Sequence, residues 1–113
     1  MPHVFYHLVK HDPPTREDFL SYVDRGIPLM DDRPETRRVA EGVSDCASVA
    51  QARNRARVPS LRGHAYVAEL HIPDGSPITF KRTGGQRGHH TLWGSPDDLV
   101  ACVVSVVRVD ALH

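Results

Sequence analysis

Eight histidines in 113 residues give this chain its chemical interest, because a side chain titrating near pH 6.5 can give, take or hold a proton under neutral conditions. Three of them, His3, His7 and His11, are spaced i, i+4 near the N-terminus. On a helix they would share a face, as a metal site requires. Their setting, Val4-Phe5-Tyr6-His7-Leu8-Val9 before Pro13-Pro14, reads instead as a strand. Along a strand His3 and His11 stand about 26 Å apart at ~3.3 Å per residue, so no shared ion is expected and His7 is the histidine held inside the element.

The second dense run is His89-His90-Thr91-Leu92-Trp93-Gly94. On a strand His89, Thr91 and Trp93 share one side and His90 shares the other with Leu92. Trp93 has the shape to stack on a base or ring. Just before it, Gly84-Gly85-Gln86-Arg87-Gly88 lacks the Lys-Ser/Thr pair of a phosphate loop, but Lys81, Arg82 and Arg87 are placed to meet an anion. Arg37, Arg38, Arg53, Arg55, Arg57 and Arg62 form a basic stretch, read as a solvated helix face, with an RNA or phosphate patch as the alternative. Ser44, Ser48, Ser76 and Ser95 lack the Gly-x-Ser-x-Gly setting of a nucleophile, and nothing local to Cys46 activates its thiol.

Fourteen basic and fourteen acidic residues cancel, giving a pI near 7.1. That balance excludes a chain that binds nucleic acid through a general basic excess, so any anion site must be local. Cys46 and Cys102 do not make a disulfide framework and are expected to be free. No apolar run reaches the length of a membrane span, and Met1-Pro2-His3-Val4-Phe5-Tyr6-His7 lacks the regions of a signal peptide. The expected location is the cytoplasm, or outside the cell by a route the sequence does not show.

Positioning these residues requires a scaffold. Strand Val4–Val9 is followed by a helix capped at Thr15 and stopped at Gly26. A short helix is expected from Pro34 to Glu41, then a strand around Val43–Ala47. Ser48-Val49-Ala50-Gln51 has capping-box spacing and opens a helix to about Val58. His64–Ile72 alternates, with Tyr66, Ala68, Leu70 and Ile72 on one face. After the Pro73–Pro77 turn, Ile78–Arg82 is expected to close a hairpin with it. His89–Trp93 returns to strand, 94–98 reads as a turn with a helix-cap signal, and Val100–Val109 reads as a central strand covered on both faces. The whole is one α+β domain, residues 1–113. Its helices lie mainly in the first half, and its twisted, mostly antiparallel sheet is centred on the C-terminal strand.

This layout resembles the small ADP-ribosyltransferase-like fold, including compact bacterial members of the rifampin ADP-ribosyltransferase kind and some toxin domains. The likeness rests on the aromatic first strand with its histidine (Phe5-Tyr6-His7), on Val43-Ser44-Asp45-Cys46-Ala47-Ser48 leading into an alanine-rich helix, and on the strand-rich second half. The resemblance implies a domain that binds NAD or a related nucleotide and transfers or cleaves at the nicotinamide ribose. It assigns His7, Ser44 and His90 to catalysis, with His7 donating to a ribose hydroxyl. Tyr6, His89, Thr91, Trp93 and Arg82 would hold the cofactor. The carboxylate that would stabilise the oxocarbenium ion is open among Glu69, Asp74 and Asp97. Besides the nucleotide, the implied partners are a protein or small-molecule acceptor, or a cognate antitoxin. The usual His-x-Thr is here His7-Leu8-Val9. Two other readings stand beside this one: a non-catalytic interaction or regulatory domain, and an RNA 2′-phosphotransferase-like domain that would use the arginines.

Overall fold

The computed structural model describes residues 2–61, 63–83 and 88–111. Arg62 of the basic stretch and residues 84–87 of the glycine loop lie outside the described residues. Among the described residues six strands form one antiparallel sheet: β1 (His3–Val9), β2 (Val43–Cys46), β3 (Tyr66–Ile72), β4 (Thr79–Arg82), β5 (His89–Trp93) and β6 (Val103–Arg108). Their spatial order is β4-β5-β2-β1-β3-β6. Three short helices, α1 (Pro34–Ala40), α2 (Val49–Arg55) and α3 (Pro96–Ala101), complete the α+β domain.

The sheet has a seam. β1 and β3 run in continuous register from His3 opposite Ile72 to Val9 opposite Tyr66. β2 and β5 pair from Val43 opposite Leu92 to Cys46 opposite His89. Between these two blocks, β1 meets β2 only where Tyr6 faces Cys46. The sheet is therefore two three-stranded halves, β4-β5-β2 and β1-β3-β6, joined by very little backbone pairing.

Strand alternation sorts the side chains into two layers. One face carries Phe5, Val9, Val43, Leu70, Ile72 and Leu92, packed with Phe19 from a 3-10 turn (Arg16–Phe19) and Leu99 from α3. The other carries Leu8, Cys46 and Val67 beneath Ala52 of α2. The expected facing of β3 holds: Ala68, Leu70 and Ile72 enter the first layer and Val67 the second.

Four expectations are corrected. The C-terminal strand is not central: β6 lies at the edge, with Val104 56 % and Val107 43 % exposed. An unbroken β-branched run looks doubly covered in sequence, but here it serves an outer position. The turn expected at 94–98 opens α3, which runs to Ala101 and takes Val100 and Ala101 from the start of the expected strand, so that β6 begins only at Val103. The Ser95 hydroxyl accepts from the Asp98 N–H at 3.1 Å and Pro96 stands in the first turn, so local capping outweighs strand propensity. Two of the three α-helices, α1 and α2, lie in the first half of the chain and α3 in the second. The helix expected over 15–26 is reduced to the single 3-10 turn, because the Asp18 side chain ties back to β1 and the next residues close a Ser21–Asp24 turn. Finally, β4 does not pair with β3. Both edges of β3 are taken, by β1 and β6, so the chain crosses to the far side and lays β4 against β5. α2 starts where expected, with the Ser48 hydroxyl accepting from Gln51 N–H at 3.2 Å, and ends earlier, at Arg55.

Candidate functional site

His7 sits at the seam. The register that sets Tyr6 opposite Cys46 also sets His7 beside Asp45, and the ring Nδ1–H donates to Asp45 Oδ1 at 2.6 Å and to the Ser44 carbonyl at 3.1 Å. The ring Nε2–H donates to the Asp18 carbonyl at 2.6 Å. Phe19 stacks on the ring at 4.7 Å. Since a carbonyl can only accept, both nitrogens carry hydrogen and the ring is an imidazolium. Burial works against that charge, but the Asp45 carboxylate and the two carbonyls outweigh it and raise the His7 pKa to about 9. Asp45 is itself 1 % exposed, and its Oδ2 is buried without a hydrogen-bond partner among the described residues.

Asp18 completes this corner. Its carboxylate accepts from Lys10 N–H at 2.8 Å, Thr15 N–H at 3.0 Å and His11 Nδ1–H at 3.0 Å. Burial alone would raise its pKa, but the Thr15 and Lys10 amides and His11 hold it below the ordinary value. His64 lies within electrostatic reach; burial first, then the charges of Lys10 and His7, keep its pKa low.

A cleft opens on the other face of the sheet, under α2. It encloses about 320 Å³ and is lined by Cys46, Gln51, Asn54, Arg55, Val58, Gly88 and His89. Burial raises the Cys46 thiol above its usual value and the nearby Arg55 charge only partly offsets this, so Cys46 is a neutral wall and not a thiolate nucleophile. His89 Nδ1 meets the Thr83 hydroxyl at 3.1 Å and the Thr83 carbonyl at 3.0 Å. Gly88 has φ +81, a backbone conformation that residues with side chains rarely adopt, so glycine suits the point where the chain enters β5 beside α2.

The eight residues singled out in the sequence divide between these places. His7 and His90 lie on the face with Asp45. His90 packs its ring 5.1 Å from Phe5, and its Nδ1 meets the Gly88 carbonyl at 3.1 Å. Tyr6, Ser44, His89, Thr91 and Trp93 project from the opposite face. His89 lines the α2 cleft. Tyr6 turns toward Glu69 of β3, whose charge and hydrogen bond add to burial in raising the phenol pKa. Thr91 is fully buried and bonds the Thr83 hydroxyl at 2.6 Å. Trp93 and Arg82 share a separate groove beside α1. Ser44 gives its carbonyl to His7.

The comparisons with known proteins decide nothing here. No family model, curated protein or solved structure matches the chain. The site therefore rests on its own geometry. That geometry changes one role: the hydrogens His7 would offer a ribose hydroxyl are already donated, one on each side of the ring, so His7 is a buried cationic strut between the sheet halves. The residues missed in the sequence are Asp45 and Asp18; Arg55 stands there only within the basic stretch, as part of the alternative phosphate patch. Asp45 carried one usable signal, an acid inside an otherwise apolar strand beside Ser44, but its partner is 38 residues away.

Proposed function

We propose that this chain is a nucleotide-binding domain that resembles the ADP-ribosyltransferases and takes NAD, or a related nucleotide, in the cleft under α2. The observation that carries the reading is the meeting of Arg55 and His89 in one recess of ligand size, against strands β2 and β5. Arg55 supplies a fixed positive charge for a pyrophosphate. The Asn54 side chain supplies amide donors and an acceptor for sugar hydroxyls, and the His89 ring, steadied by Thr83, offers a flat edge for a base or nicotinamide. His7, Asp45 and Asp18 contribute from behind, by fixing β2 against β1 and thus the floor of the cleft at Cys46.

In the transfer that the resemblance implies, the bond between ribose C1′ and the nicotinamide nitrogen breaks. Its electron pair leaves with nicotinamide and an acceptor nucleophile forms the new bond to C1′. A carboxylate beside C1′ would stabilise the positive charge that develops. Among the described residues the cleft lining includes no carboxylate, and the His7–Asp45 pair lies on the other face. This favours a second reading, a regulatory domain in which nucleotide binds without turnover.

Calorimetric titration with NAD, paired with chromatographic detection of released nicotinamide, tests both readings. Saturable binding lost in Arg55→Ala and His89→Ala supports the site, and nicotinamide release then supports transfer. Binding without release selects the regulatory reading. Absence of binding at millimolar NAD, or equal binding by Arg55→Ala, overturns the assignment.

A further inference from the structure

A second recess lies between α1, β4 and β5, encloses about 480 Å³, and is built around Trp93. Trp93 is held on two sides. Its indole Nε1–H donates to the Arg38 carbonyl at 2.7 Å, and the Arg38 guanidinium lies over its ring at 4.3 Å. Gly42 makes room for this arrangement: a Cβ there would stand 2.4 Å from Thr91 Cγ2 and 3.0 Å from Trp93 Nε1. The result is a flat cationic–aromatic wall fixed before any ligand arrives, which lowers the ordering cost of binding.

The strand beside Trp93 adds charge, with Lys81 opposite Thr91 on the Trp93 side of the sheet and Arg82, opposite His90, lining the recess from the sheet edge. Lys81 and Arg82 come from β4, the outermost strand of this half of the sheet. The recess thus holds three cations, Arg38, Lys81 and Arg82, against one carboxylate, Glu35, in a chain whose charges balance overall. Elsewhere on the surface three exposed arginines take acidic partners, Arg16 with Asp97 at 3.4 Å, Arg33 with Asp31 at 3.2 Å and Arg108 with Asp110 at 3.0 Å, while Arg25, Arg37 and Arg57 stand apart from one another without one among the described residues. Among the described residues Arg38, Lys81 and Arg82 make no ion pair. Unpaired cations grouped beside a preset aromatic surface suit a ligand that is anionic at one end and flat at the other.

We infer that this recess is a second ligand site, distinct from the α2 cleft, that binds a nucleoside phosphate. Lys81 and Arg82 receive the phosphates, and the Arg38–Trp93 wall receives the base. Three local cations match two or three phosphate charges and fall short of the extended basic track that a nucleic-acid strand needs. The site does not depend on the reading of the α2 cleft. The two recesses adjoin across the Thr83–His89 contact and, among the described residues, share no lining residue.

Trp93 is the one tryptophan of the chain, so its fluorescence reports this recess directly. The experiment titrates the full chain with ADP, with inorganic pyrophosphate and with adenosine, and repeats each titration on the Lys81→Ala/Arg82→Ala and Arg55→Ala variants. Both substituted positions on β4 are exposed, and circular dichroism checks that the fold is kept. The expected result is a saturable change with ADP and weaker binding of each half ligand. The double variant should bind ADP about tenfold more weakly or worse, as befits loss of charge-assisted hydrogen bonds, and Arg55→Ala should leave it unchanged. Absence of a saturable change with millimolar ADP, unaltered binding in the double variant, or loss of the signal in Arg55→Ala would each overturn the inference. Failure of NAD to bind the α2 cleft, with this ADP signal intact, would remove only the earlier reading.

Discussion

The half of the sheet made of β1, β3 and β6 and the half made of β4, β5 and β2 are built on different terms. In the first, seven-residue strands pair without interruption between β1 and β3, and Phe5, Val9, Ala68, Leu70 and Ile72 fill the core. In the second, strands of four or five residues carry His89, His90, Thr91, Lys81 and Arg82, and both candidate recesses lie against them. Long apolar ladders supply cooperative stability, whereas short strands rich in polar side chains are cheaper to open and better suited to hold ligands. The chain separates these tasks and then ties them with the Tyr6–Cys46 bridge and the His7–Asp45 pair.

The sharpest way to break that division is to cut the tie. Asp45→Ala leaves a buried imidazolium without its counter-charge, and a loss of roughly 3–5 kcal/mol in urea unfolding is expected. In a hydrogen-exchange experiment the amides of β2 and β5 should lose protection before those of β1 and β3. A loss below about 1 kcal/mol, or equal deprotection of both halves, would mean that the halves do not divide there.

Titration is the next largest lever. The folded-state pKa of His7 is raised from 6.5 to about 9, so its contribution is fully present below pH 6.5 and is lost as pH rises through about 9. The expected loss across that window is on the order of 3 kcal/mol, and His7→Gln should flatten it; a wild-type midpoint constant from pH 6.5 to 9.5 would refute the strut. Asp18 acts with the opposite sign. Its lowered pKa makes its contribution present above the ordinary carboxylate range and lost as pH falls through the folded value.

Smaller changes sharpen the contrast. Gly42→Ala forces a Cβ to 2.4 Å from Thr91 and 2.7 Å from the Leu92 carbonyl, so it should cost about 1–3 kcal/mol. It should also shift Trp93 emission, a signal confined to the short-stranded half. Ser48→Ala and Ser95→Ala remove one helix cap each and should cost about 1 kcal/mol apiece. Thermal melts that place either cap mutant beyond the Gly42 variant would contradict this ranking.

Features decided by neighbouring residues were legible in the sequence. The α+β character, the placing of His7 inside a strand, the alternation of β3 and β5, and the cap at Ser48 all follow from local pattern. What long-range register decides was not. Asp45 becomes a partner of His7 only because Tyr6 faces Cys46, and the wall at Trp93 depends on Arg38, 55 residues away. The helix expected after Thr15 shows how a local signal is overridden. Asp18 stands three residues after the Thr15 cap and accepts from Thr15 N–H, as a capping box requires, but the same carboxylate also binds Lys10 and His11, so the chain folds back onto β1 after one turn. The edge position of β6 was hidden because an apolar β-branched run reads the same at the centre and at the margin of a sheet.

That margin has a consequence for the chain as it is made. β6 is synthesised after β1 to β5, and the edge of β3 that it covers stays open until residues 103–108 have emerged. During that interval β1 and β3 are already available to pair, and the waiting edge is a template for any valine-rich segment that reaches it, including β6 of a neighbouring nascent chain. Crowded translation should therefore favour strand-exchanged dimers, and slower or more dilute synthesis the closed monomer.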